Sequence, residues 1–120
     1  MEDGIEDVYS RSQPSTMPKI DKSLIGKRLE ILYKYEEPHT GEEVLEWNQG
    51  VVTLVSDGTN LQKSARSFYK EGEAVLIDFD KKCLRGEKQS VYTVKLKKSK
   101  WNPKNNYTEG SWRLDLGEIK

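Results

Sequence analysis

Cysteine is almost missing from this sequence: Cys83 is the single one in 120 residues. No intramolecular disulfide can form, and no zinc site can be built on cysteines. A lone thiol fits a reducing compartment, so the expected location is nuclear or cytoplasmic. Histidine is as scarce. His39 stands alone in a glutamate-rich stretch with no Ser or Cys motif around it. No glycine-rich phosphate loop and no His/Cys metal spacing occurs, so neither a cofactor nor a metal is expected. No apolar run has the length that a membrane span needs. The start, Met1-Glu2-Asp3, is acidic and polar, unlike a secretory signal. These absences argue against an enzyme. Asp78 and Asp80, two apart on one strand face, could in principle do acid–base work. Strand-end aspartates are usually just solvated, and Glu36, Glu37, Glu42 and Glu43 make a charged loop rather than a metal site.

What the chain does have is charge, at 33% of residues against 34% hydrophobic. The core must therefore be small, and 120 residues leave room for one domain with tails. The formal net charge is zero, but its placement is uneven. Residues 1–80 hold nine Lys/Arg against sixteen Asp/Glu, whereas residues 81–104 hold nine against one. Such a segment points to a polyanion or an acidic partner. A solvated basic edge that discourages strand-to-strand aggregation explains it equally well.

Residues 1–22 read as an acidic, Ser/Pro-bearing tail too polar to bury itself, and residues 23–118 as one domain. Leu29, Ile31, Tyr33 and Tyr35 alternate with Arg28, Glu30 and Lys34, the period of a half-buried strand, with Leu32 out of phase. Glu36 to Glu43 is a loop or hairpin tip around Pro38 and Gly41. Leu45 to Val55 is the best strand candidate, with Trp47 in its first half, Gly50 as a bend and a valine-rich second half. Residues 59–72 read as an extended loop with a short helical turn, from which Phe68 or Tyr69 packs back. Ala74–Asp80, Val91–Leu96 and Ser111–Leu116 complete five short strands. The expected fold is all-β, a small five-stranded barrel whose closure removes unpaired edges.

The order of a strand, a loop, Trp47-Asn48-Gln49-Gly50-Val51-Val52 and then Ile77-Asp78-Phe79-Asp80 resembles the Tudor-type SH3-like barrel, over about residues 25–96. In that family an aromatic ends the first strand, as Tyr33 or Tyr35 does here. Ser99-Lys100-Trp101-Asn102 and Gly110-Ser111-Trp112-Arg113 also resemble barrel segments of uncharacterised transposon-derived proteins, a likeness that carries no activity. The family resemblance implies a chromatin reader that holds a methylated lysine or arginine of a histone-like peptide in an aromatic cage. Tyr33, Tyr35, Trp47 and Phe79 would be the walls, with Asp78 or Asp80 as the acidic side. Three features depart from the family: Asp80 stands in place of a glycine, Phe79 lacks a hydroxyl, and the first hairpin loop is longer.

Each aromatic has a plainer role open to it. Tyr33 shares a face with Leu29 and Ile31, Phe79 with Val75 and Ile77, and Trp47 and Trp112 suit a core. Trp101, before Pro103, either covers the open end of the barrel or stacks on a base. In the nucleic-acid alternative, Lys95, Lys97, Lys98, Lys100 and Lys104 would act with Trp101 and Tyr107. The third possibility is a monomeric structural or protein-interaction domain of a larger protein.

Overall fold

Residues 13–14, 16–101 and 107–117 are described by the computed structural model of the chain. Seven strands carry the architecture: β1 (Arg28–Glu36), β2 (Glu43–Val55), β3 (Gln62–Ser64), β4 (Ser67–Phe68), β5 (Ala74–Phe79), β6 (Val91–Lys95) and β7 (Trp112–Leu114). Five form one antiparallel sheet in the order β6-β5-β2-β1-β7, while β3 and β4 make a separate hairpin. Short 3-10 turns lie at Lys22–Leu24, Leu84–Gly86 and Lys98–Lys100. The all-β expectation holds, and the five sheet strands are those that the alternation predicts.

Alternation in β1 places Leu29 and Ile31 in the core, at 0% and 1% exposed. Leu32 faces the other way yet is also buried, opposite Trp47 in the β1–β2 ladder. Both faces of β1 are thus covered at its middle. Val52, Val75, Ile77, Phe79 and Trp112 fill the same core. The Trp112 indole N–H donates to the Lys97 carbonyl at 2.9 Å, which satisfies its polar atom inside that core.

β2 is long because it serves two neighbours. It pairs with β1 from Glu43 to Val51 and with β5 from Gly50 to Val55. The register with β5 slips between Val52 and Leu54, an irregularity that falls at Thr53. Gly50 meets a steric need. A Cβ there would lie 2.6 Å from Ile77 Cγ2, 2.7 Å from Asp78 O and 2.8 Å from Phe79 Cα.

Two parts differ from the sequence reading. Residues 59–72 carry the β3–β4 hairpin rather than a helical turn. Its anchor is Leu61, buried at the base, whose carbonyl accepts from Tyr69 N–H at 2.9 Å, while Phe68 stays exposed. The sheet also remains open where the sequence predicts a closed barrel. After Lys95 the chain turns into Lys98–Lys100 instead of running on to meet β7, and no ladder joins β6 to β7 among the described residues. A single parallel bridge from Trp101 to Trp112 spans the gap, with the two rings 5.0 Å apart. Trp101 thus lies against the core as a cover.

The outer edge of β7 is capped from the N-terminal side. The Gln13 amide donates to Leu114 O at 2.6 Å and accepts from Leu114 N–H at 3.1 Å, as a neighbouring strand would. Met17 and Ile20 pack on the core. Contacts with the domain therefore begin before residue 23. Residues 1–12 of the predicted tail, together with Lys104, lie outside the described residues.

Candidate functional site

Tyr33 and Tyr35 stand two apart on β1 and so share a face near its loop end. Tyr92 reaches the same place from β6, and the loop after β5 adds Leu84 and Glu87. With Lys34 they line a groove of about 250 Å³. Phe79 lies behind the rings, buried, its centroid 6.1 Å from Tyr33 and 6.4 Å from Tyr92.

One buried side chain of β2 fixes two of these walls. Asn48 Oδ1 accepts from Leu84 N–H at 2.7 Å, and its Nδ2 donates to the Tyr35 hydroxyl at 3.2 Å. Leu84 and Arg85 adopt left-handed backbone angles, φ 56° and 55°, which non-glycine residues rarely take. Arg85 is held there by Glu46, at 3.0 and 2.6 Å, and by Glu37 at 3.2 Å. Its guanidinium lies 4.7 Å from the centre of the Tyr35 ring. One face of Tyr35 is therefore already in use, while Tyr33 and Tyr92 each have a side packed toward Phe79 and the core.

Trp47 does not join the groove. It projects from the other face of the sheet, where the Arg113 guanidinium lies 3.9 Å from its ring centre and 5.0 Å from that of Tyr107. The two rings meet edge to face at 4.9 Å. Glu30 accepts from Arg113 Nε at 2.9 Å and from Gln49 Nε2 at 2.7 Å. Glu30 and Arg113 are 2% and 6% exposed. Two aromatic rings and a carboxylate thus surround a cation, but that cation belongs to the chain itself.

The predicted acidic walls are also elsewhere. Asp80 takes a bidentate grip from Arg28, at 2.6 and 3.2 Å, and Arg28 Nε reaches Asp115 at 2.9 Å. Hydrogen bonding to Asp80, the largest influence, pushes the Arg28 pKa above its usual value. Asp78 is exposed and accepts from Ser90 Oγ at 3.0 Å. Of the six predicted cage residues, Tyr33 and Tyr35 line the groove and Phe79 backs it. Sequence reasoning missed Tyr92, Leu84 and Glu87. Tyr92 registers there only as a face residue of its strand, and its neighbours across the groove come from β1, which is not adjacent in the sheet.

Two of the basic residues are already engaged. Lys95 pairs with Glu73 at 3.4 Å, and Lys100 donates to Thr108 Oγ1 at 2.8 Å. Lys97 and Lys98 are exposed beyond β6, whereas Lys81, Lys82 and Lys88 lie before it. Tyr107, the second stacking candidate, lies over Arg113.

Burial pushes the Tyr33 hydroxyl up to about 12, with smaller contributions from Tyr35 and Tyr92. Burial also raises Tyr35. The folded state resists an ionisation that the unfolded chain accepts from about pH 10. This contribution is therefore intact below about pH 10 and is lost as pH rises toward about 12. Denaturant midpoints across that window should fall less steeply in Tyr33→Phe than in the parent. Parallel curves would show that Tyr33 titrates normally.

Among the described residues, no cluster of His, Cys, Asp or Glu could hold a metal ion, and no helix is long and apolar enough to cross a membrane. No known family model, curated protein or solved structure matches the chain.

Proposed function

We propose that the chain is a non-enzymatic binding module whose aromatic groove takes a methylated lysine or arginine side chain of a peptide. The observation that carries this reading is the convergence of Tyr33, Tyr35 and Tyr92 beside Glu87, in an open groove of about 250 Å³. A methylated cation is bulky and weakly hydrated, so ring faces attract it without a large desolvation cost, at ~0.5–2 kcal/mol per good contact. Glu87 adds a negative charge. Lys34 would oppose a cation, but its ammonium is drawn toward Glu43 and Glu109, each at 3.7 Å.

The strand arrangement supports the reading. With the β3–β4 hairpin set aside, β1, β2, β5 and β6 pair in sequence order, and β7 returns beside β1 after a 3-10 turn. That order is similar to a Tudor-like SH3-type fold, here with an open ladder. Such a module would act in the nucleus. Its aromatic set differs from the one that the sequence suggests, with Tyr92 in place of Trp47.

Calorimetric titration with a trimethyl-lysine peptide and its unmodified counterpart tests this. The methylated peptide should bind more tightly, and Tyr92→Ala should weaken it by about tenfold while the melting transition survives. Equal affinity for both peptides, or unchanged binding in the folded variant, counts against the groove.

A further inference from the structure

The two edges of the main sheet are treated differently. Leu114 on β7 is capped by Gln13, and Trp112 is bridged by Trp101. Among the described residues β6 has no such cover, and its register shows what it leaves exposed. Phe79 N–H donates to Ser90 O, and Leu96 N–H donates to Glu73 O. Between them lie the pairs Ile77↔Tyr92 and Val75↔Val94. Antiparallel alternation therefore turns the backbone groups of Tyr92 and Val94 toward β5 and those of Val91, Thr93 and Lys95 outward. The Val91 carbonyl accepts from Gln89 Nε2 at 2.8 Å. Its N–H, and both groups of Thr93 and Lys95, meet no partner among the described residues.

We infer that this edge receives an extended acidic segment of a partner protein as an added strand. Strand addition draws affinity from main-chain hydrogen bonds and specificity from pockets beside the edge. Both are present here. A residue paired opposite Tyr92 would share Tyr92's face of the sheet, so the added strand delivers a side chain to the groove. The charge of the partner follows from the flanks. Lys81, Lys82 and Lys88 precede β6 and Lys97 and Lys98 follow it, all exposed and none in an ion pair among the described residues. The same cations disfavour a second copy, because β6 against β6 would bring two basic flanks together. The pairing does not depend on methylation; only the identity of the side chain in the groove rests on the proposed function.

The probe is a short synthetic peptide alternating glutamate with valine and threonine, made with either trimethyl-lysine or alanine at its centre. On titration, amide exchange at Thr93 and Lys95 should slow. N-methylation of one alternate set of peptide amides should weaken binding by about tenfold, and of the other set should not. Thr93→Pro removes an outward N–H that β5 does not use, so it should keep the melting transition and lose the probe. Absence of binding, or binding that tolerates both N-methylated sets, overturns strand addition. Self-association that protects Thr93 without peptide overturns the acidic partner in favour of a second copy. Edge protection by the alanine probe as strong as by the trimethyl-lysine probe sustains strand addition and defeats the methyl-lysine reading. Methyl-dependent binding with no edge protection does the reverse.

Discussion

Arg113→Ala should destabilise the fold by about 3–5 kcal/mol, the usual result of breaking a buried ion pair by removing one partner. Glu30, 2% exposed, would keep only the Gln49 amide as a partner among the described residues. Trp47 and Tyr107 would lose the guanidinium that now lies 3.9 and 5.0 Å from their ring centres. The charge left behind does most of the damage. Replacing both partners, as Glu30→Gln with Arg113→Met, should recover most of the loss, because the Glu30 carboxylate is no longer left behind as a buried charge. Urea denaturation at neutral pH compares the three proteins. An Arg113→Ala variant within about 1 kcal/mol of the parent would mean that the cluster is wetter than its burial indicates. Since the cluster lies across the sheet from the groove, peptide binding by whatever folds should be unchanged.

Gly50→Ala carries the second large effect, about 3 kcal/mol or more, at the upper end of overpacking costs. Strand preference alone predicts the opposite sign, since glycine weakens a strand relative to alanine by ~0.5–1 kcal/mol. Contact decides the matter. The added methyl would lie 2.6 Å from Ile77 Cγ2, 2.7 Å from Asp78 O and 2.8 Å from Phe79 Cα. Two of those three atoms are backbone and cannot swing aside. Relief requires β5 to move away from β2, which would disturb Ile77 and Phe79 in the core and the back of the groove with them. A thermal melt and an amide spectrum read the outcome. An unchanged or raised transition temperature would show that the two strands have room to spare.

β1, β2, β5 and β6 were legible in the sequence because their alternation records which face is buried. Trp47 was legible as a strand residue but not as a partner of Arg113. Its direction depends on register with Leu32, and its partner arrives on a strand far along the chain. Asp80 read as a candidate cage wall because nothing local reveals that Arg28 holds it. The β3–β4 hairpin was missed because its residues are polar and exposed, without alternation. Gln13 was hidden for a different reason. A polar residue in a Ser/Pro stretch gives no sign that its amide will stand in for a strand. Closure of the sheet depends on what the chain does between Lys95 and Trp112, which no periodicity encodes.

The β1–β7 ladder has a mechanical side. Asp115 N–H donates to Arg28 O at 2.9 Å, so the chain enters β1 and leaves β7 at the same end of the ladder. Tension applied through the two flanking segments would part the strands one bond at a time, as a zip opens, rather than load every bond together in shear. The Gln13 amide and the Arg28–Asp115 contact would yield first, followed by Glu30↔Arg113 and Ile31↔Trp112. Spliced between anchored neighbours, this fold would pay out chain at low force, behaving as a tether rather than a strut.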